Sequence, residues 1–351
     1  MNYTIYIRTL KRAEHTVFCV SDGQKYYYDS QFDRRIPFSS GQQVKRSIID
    51  SVSEVLGTVP SPTTFLFDVT KQKELKEGEV YGTCDPTYVD QLFGGWMRAA
   101  KGGKERTLKR RSPLSISSMR GLHPLLAGVY GENATFDRSA RSNNIVIVRD
   151  EKGDQLSEAQ VVDFLEGKDR GLSRKWIPDQ KRASGLFVSD IAIDLRRLFA
   201  VSLNSLEPEV SEETIAKLKS EGWIESKNVF GDCLIAPKSV REKSIKALAN
   251  AIVNWRITSN QSRTFSLMDT LAISISNNAN LIAGSIRAKL SEEDSNKAQP
   301  IIDESLKGKG VDTYITLQAG GYIQTKSESA DALSNAEQAL IEKMMAYDYE
   351  N

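Results

Sequence analysis

An α+β fold is predicted by three observations. Segments that alternate apolar and polar residues recur along the chain, as in 3–10, 186–195 and 313–317. Two longer segments, 40–56 and 239–255, instead repeat apolar residues every three or four positions. Strands and helices follow one another irregularly and include a hairpin, unlike the regular alternation of a parallel α/β sheet.

Residues 3–10 and 15–28 read as strands, with Ser21-Asp22-Gly23 as a hairpin turn between HTVFCV and QKYYYD. A polar loop follows from Asp29 to Phe38. A helix is predicted from about Ser40 to Leu56, because Val44, Ile48, Val52 and Val55 form one apolar stripe. Ser40 with Gln43 fits a capping box at its start, and Gly57 ends it. TFLFDVT (64–70) reads as a strand. From 71 to 142 the pattern weakens around a short helical candidate, Tyr88 to Ala100, and the segment reads as an insertion rather than a core layer.

IVIV (145–148) reads as a buried strand, and Ser157 with Gln160 opens a short helix through Leu165. Gly167 to Gly185 reads as a basic loop, 186–195 as a strand, and Ser211 to Ser220 as a helix. CLIA (233–236) is a short strand. Ser239 with Glu242 opens a helix with Ile245, Leu248, Ile252 and Trp255 on one face. LAISIS (271–276) and TYITL (313–317) read as strands, and an acidic helix from Ala332 to Met345 follows.

The chain has 351 residues, 40% apolar and 26% charged, enough to bury a core without disulfide or metal staples. Lys and Arg total 47 against 46 Asp and Glu, a net charge of +1, which excludes a uniformly basic nucleic-acid coat protein. Three cysteines, Cys19, Cys84 and Cys233, lie far apart, which argues against a disulfide framework or a thiolate zinc site. Two histidines, His15 and His123, are too few for a His-rich metal site. No run of 18 apolar residues exists, so no membrane contact is expected. The N-terminal segment lacks the apolar core of a signal peptide, which points to the cytoplasm.

Phosphate-loop, dinucleotide-binding and nucleophile-elbow motifs are absent. His15 sits in an alternating strand and His123 precedes Pro124, so both read as structural. By elimination a binding role leads over an enzymatic one, with no cofactor and no metal.

Charge is local. Residues 98–111 (RAAKGGKERTLKRR, ending in Arg110-Arg111) hold seven basic residues and one acid. Residues 168–182 (KDRGLSRKWIPDQKR) hold six basic residues and two acids, with Trp176 beside Arg174 and Lys175. Such segments suit polyanions, because cations neutralise phosphates while rings stack on bases. A third basic set is Arg34-Arg35 followed by Lys45-Arg46. The acids concentrate elsewhere: Glu328 onward carries six of them against one lysine.

Several segments together resemble one family. FDRRIPFSSGQQVKRSI (32–48) resembles a signature of the CRISPR backbone subunits (Cas seven, in the RAMP superfamily), where a basic loop leads into a helix opening Ser-Ser-Gln and continuing Lys-Arg. Arg34, Arg35, Ser39, Ser40, Lys45 and Arg46 stand at those positions, with Gln42 or Gln43 as the glutamine. SPLSISSMRG (112–121) is similar to the family's strand and basic turn, here in the order Ser118-Met119-Arg120. SGLFVSDIAIDLRRL (184–198) and SNQSRTFSLMDTLAISIS (259–276) resemble a later strand and a Gln-x-Arg-Thr turn, with Gln261, Arg263 and Thr264 in place.

The resemblance implies an RRM-like (ferredoxin-like) palm with large fingers and thumb insertions. The palm would comprise 1–57, 144–149 and 185–351, the fingers 58–143 and the thumb 150–184. It implies a subunit of a type I Cascade-like surveillance complex that polymerises along the crRNA and presents it to target DNA. Its partners would be crRNA, target DNA, further copies of itself and other Cascade subunits.

A protein serving any guide sequence must hold the sugar–phosphate backbone and ignore the bases. Arg34, Arg35, Lys45, Arg46, Arg120 and Arg263 suit phosphates, and the N–H groups at Ser39/Ser40 suit one more. Met119 could wedge between bases, and Trp176 could press on the guide or on a neighbouring copy. Two alternatives stand beside this reading. One is a metal-dependent RNA-cleaving relative using Asp29 or Asp33; the other is an unrelated α+β RNA-binding protein.

Overall fold

The computed structural model describes residues 3–19, 23–99, 106–135, 145–167, 176–257 and 265–350. It divides into two units, Met1–Tyr130 with Arg182–Asn351, and Gly131–Lys181. The fold is α+β, with antiparallel strand pairs and eight α-helices among the described residues.

The larger unit is built on a nine-stranded sheet. Its path runs Val311–Ile315, Thr270–Ser276, Thr4–Thr16, Trp176–Asp194, Met119–Gly121, Arg34–Ser39, Tyr26–Asp29. Leu114–Ile116 and Ala127–Thr135 also pair with the long strand Trp176–Asp194. Ile7 marks the centre: it stands opposite Ile191 on one side and Ile275 on the other. Ile191 in turn stands opposite Ile116.

Side chains alternate across a strand, so the first strand has two chemistries. Ile5 and Ile7 are buried in one cluster with Val44, Ile48 and Val52 of helix Gly41–Leu56 and with Ile245, Leu248 and Ile252 of helix Lys238–Asn254. Leu340 and Met344 of helix Ala332–Met345 join the same cluster. Each such side chain contributes about 1.5–3 kcal/mol on burial. Leu10 belongs to a second cluster with Leu186, Leu271 and Ile286, on the opposite face. Strand Thr270–Ser276 is buried at every position because both clusters use it: Ile273 and Ile275 face one, Leu271 and Ala272 the other.

Local chemistry fixes the ends of these elements. Ser40 caps helix Gly41–Leu56 by accepting from the Gln43 N–H, and Gly57 closes it in the left-handed region. Gly185 has φ +134°, and a Cβ there would fall 2.3 Å from the Leu126 carbonyl oxygen, so only glycine fits. It stands opposite Ala13, next to the register shift that ends at Thr16. Lys11 is buried on the helix side. Its ammonium donates to Thr270 Oγ1 at 2.7 Å and to the Trp255 carbonyl at 3.4 Å, and burial pushes its pKa well below the ordinary value.

The smaller unit holds helix Glu158–Leu165, which Ser157 and Gln160 open with a full capping box. A turn precedes it, where Asp150 Oδ1 accepts from the Lys152 and Asp154 N–H groups.

Several expectations are corrected. Tyr26–Asp29 does not pair with the first strand; it pairs with Arg34–Ser39, so 34–38 is a strand and not a polar loop. The turn lies at 30–33, where Asp29 Oδ1 collects the Gln31 and Phe32 N–H groups, and Ser21-Asp22 lies outside the described residues. Residues 145–148 are not a buried strand: Ile145 is 87% exposed, and among the described residues no sheet partner lies beside the run. A short apolar run carries no periodicity that separates strand from loop.

The segment 71–142 is not wholly an insertion, since Leu114–Ile116 and Met119–Gly121 supply core strands. The expected basic loop 167–185 becomes strand from Trp176 onward. Val55, assigned to the buried stripe, is 52% exposed.

Candidate nucleic-acid interface

The sheet face turned away from helices Gly41–Leu56, Lys238–Asn254 and Ala332–Met345 carries a polar and aromatic row across five strands, with helix Ala279–Ser285 packed at its Arg8 end. Arg8 stands opposite Asp190, Arg120 opposite both Val188 and Phe38, and Tyr27 opposite Ile36. Arg8 Nε and Nη2 donate to the two oxygens of Asp190 at 2.6 and 3.0 Å. Arg120 Nη2 reaches the same Oδ2 at 3.1 Å. Arg8 Nη1 is further tied to the carbonyls of Ala283 and Ile286 at 2.6 and 3.1 Å.

Asp190 is therefore an anchor held from both sides. Partial burial raises its pKa, but the hydrogen bonds and charge of Arg8 and Arg120 outweigh that, so the carboxyl ionises below the usual carboxylate range. Two guanidiniums against one carboxylate leave this cluster with a net positive charge. Arg8 is spent on protein acceptors, while Arg120 is more exposed, at 36% of its side chain. The Tyr27 and Phe38 rings lie 6.1 Å apart next to it.

The hairpin Tyr26–Asp29/Arg34–Ser39 continues the row. Tyr26, Tyr27 and Tyr28 are all exposed, as are Arg34 and Arg35. Arg35 lies over the Tyr26 ring at 5.3 Å from its centroid. Tyr28 stands opposite Arg35, and its hydroxyl donates to Asp33. Asp33 takes a left-handed φ of 50° at this turn. Exposed rings beside exposed guanidiniums are the groups that suit stacking on bases and pairing with phosphates.

The other residues singled out in the sequence are distributed as follows. Ser40 is the helix cap, Gln42 is exposed in its first turn, and Arg46 is exposed but paired with Asp50 at 2.8 Å. Lys45 folds back to donate to the Gly94 carbonyl at 2.9 Å, and burial together with Arg110 lowers its pKa to about 8. Arg111 is exposed.

Three side chains face inward. Ser39 is fully buried, and its Oγ has no partner among the described residues. Met119 packs in the helix-side core. Arg110 is buried under the Trp96 ring, donates to the carbonyls of Leu92, Arg197 and Ala200, and has its pKa pulled down to about 10 by burial. Trp176 begins the long strand. Arg174, Lys175, Gln261 and Arg263 lie outside the described residues.

Sequence reasoning missed Arg8 and Asp190. The one local signal was Asp190, in the middle of the largely apolar segment LFVSDIAIDL, which also holds Ser189 and Asp194. Among the described residues, no group of three His, Cys, Asp or Glu side chains could hold a metal ion, and no helix is long and apolar enough to cross a membrane.

No protein-family model and no curated protein matches the chain. Solved structures do. A chain of the structure described as "CRISPR RNA-guided surveillance complex, pre-nicking" is 11% identical, with 97% of this chain and 100% of that chain covered and a TM-score of 0.51. A chain of a second, described as "CRISPR RNA-guided surveillance complex", is also 11% identical, with 96% and 99% covered and a TM-score of 0.41. The first likeness shows a shared fold; the second, at its lower score, carries no argument.

Proposed function

We propose that the chain is a guide-RNA-binding backbone subunit of a CRISPR surveillance complex. Several copies would line up along one crRNA and present it for pairing with target DNA, together with the other Cascade subunits. The observation that carries this reading is the row Arg8–Asp190–Arg120 with Tyr27 and Phe38 beside it, on the sheet face opposite helices Gly41–Leu56 and Lys238–Asn254. Cations positioned by the fold and rings free to stack contact the backbone and ring faces that every nucleotide has.

The strand order supports an RRM-like palm. Thr4–Thr16 lies between Thr270–Ser276 and Trp176–Asp194, and Leu114–Ile116 lies beyond the latter. Helix Gly41–Leu56 intervenes before Leu114–Ile116, and helix Lys238–Asn254 before Thr270–Ser276. This is the 4-1-3-2 order of a split βαβ arrangement, which in RNA-binding proteins exposes the face away from the helices. The fingers (58–143) and thumb (150–184) belong to the same proposal, less the stretches Leu114–Ile116, Met119–Gly121 and the part of Trp176–Asp194 that the sheet takes up. So does the absence of a catalytic step, in which this subunit holds RNA and cleavage falls to others. The shared fold with a chain of a CRISPR surveillance structure supports the assignment.

The test is charge reversal of Arg34, Arg35 and Arg120 together, read by the binding of a labelled single-stranded RNA. Binding should be lost in a variant that still unfolds cooperatively, at a midpoint lowered by the loss of the Arg120–Asp190 pair. Unchanged RNA affinity in a folded triple variant would refute the reading.

A further inference from the structure

The carboxylate in the middle of the row has room for one more donor. Oδ2 of Asp190 takes Arg8 Nη2 and Arg120 Nη2, at 3.0 and 3.1 Å. Oδ1 takes only Arg8 Nε among the described residues, at 2.6 Å. An ionised carboxylate offers about four acceptor positions, so one on Oδ1 is left over. The side chain is 32% exposed, and it borders a groove on this face that Tyr6 and Ser115 also line.

A carboxylate on a surface that binds phosphates weakens binding unless the ligand brings it a donor. Donors on base edges differ from base to base, so a surface indifferent to sequence cannot depend on them. The one donor that every ribonucleotide carries, and that DNA lacks, is the ribose 2′-hydroxyl.

We infer that Asp190 is a specificity-determining residue that distinguishes RNA from DNA: its Oδ1 accepts from a ribose 2′-hydroxyl while Arg120 contacts the adjoining phosphate. This rests on the RNA-binding reading above. Arg8 has the supporting part. It saturates the rest of the carboxylate and holds it in place through the Ala283 and Ile286 carbonyls.

The experiment compares three strands of one sequence on the full chain: RNA, its 2′-O-methyl form and its 2′-deoxy form. The methyl group keeps the oxygen and removes the donor. The wild type should bind RNA about tenfold more tightly than either modified strand, the scale of one hydrogen bond to a charged group. Asp190→Ala should bring RNA down to the level of the deoxy strand and remove the preference. Arg120→Ala should weaken all three strands alike and keep the preference.

Equal binding of the three strands by the wild type would overturn the inference and leave RNA binding intact. A preference that survives in Asp190→Ala would also overturn it, since the carboxylate would then only position arginine. Binding of none of the strands by the wild type would remove the RNA-binding reading and this inference with it. If Asp190→Ala does not fold, equal binding of the three strands by the wild type still overturns the inference.

Discussion

Arg120 donates to Asp190 across the sheet at 3.1 Å, joining two residues 70 positions apart in the chain. The contact exists because Met119–Gly121 and the long strand lie side by side, with Arg120 opposite Val188 and so two residues from Asp190. Arg8 closes the carboxylate from the other neighbouring strand. A guanidinium anchored in this way enters a complex with little side-chain entropy left to lose.

If Arg120 contacts a phosphate, Arg120→Ala weakens single-stranded RNA uniformly over sequence. The slope of log affinity against log salt should become shallower by about 0.7, one released counterion on a single strand. Titrations of two unrelated sequences over a salt series check both statements. A loss that differs between sequences would point instead to base contact.

Arg110 is a structural cation. Its replacement by alanine leaves three carbonyls without their donor and takes from Glu209, 3.9 Å away, one of its two arginine partners, the other being Arg197 at 4.0 Å. Arg110→Ala is expected to cost about 3 kcal/mol of stability, as for removal of one member of a buried ion pair. Exposed Arg111→Ala should stay within about 0.5 kcal/mol of the wild type. Chemical denaturation of the two variants separates them.

Lys45 gives a pH signature. Its folded pKa, about 8, lies below the ordinary 10.5, so between these values the unfolded chain binds the extra proton. Stability is therefore expected to rise with pH across that window and to flatten below it. In Lys45→Met this contribution should vanish. Denaturation midpoints at several alkaline pH values, or the titration of a labelled Lys45 side chain followed by NMR, measure it directly.

Ser40 tests the cap independently of any ligand. Ser40→Ala removes the acceptor for the Gln43 N–H and should cost about 1 kcal/mol, whereas Ser40→Gly should cost only about a few tenths. The helix it opens packs Val44, Ile48 and Val52 into the core, so the loss should register as a lower global midpoint rather than local fraying.

The contrast between these residues explains what was legible in the sequence. Ser40, Gly57 and the stripe at Val44, Ile48 and Val52 are local signals, and the helix they predict is present. The helix Ala332–Met345 matches its predicted bounds for the same reason. Sheet partners are not local. Arg34–Ser39 contains Pro37 and two arginines and reads as loop, yet the turn at 30–33 brings it against Tyr26–Asp29.

The candidate site divides along the same line. Arg34, Arg35 and Arg120 could be singled out by charge and motif. Arg8 and Asp190 could not, because their contact spans 182 positions and is created by strand register alone. Lys45, Arg110 and Met119 carried the right residue types for RNA, but burial turns the latter two inward and ties Lys45 to Gly94. Composition does not reveal which cations the core has claimed.

A chain that holds guide RNA should carry it through purification. The chain is expressed with a repeat array and its neighbouring genes and purified without nuclease, and the RNA that accompanies it is sequenced. RNAs of uniform guide length are expected, with a shared repeat-derived end and variable interiors. They should be lost when Arg34, Arg35 and Arg120 are reversed in charge. Recovery of no guide from that co-expression would contradict the guide-binding role.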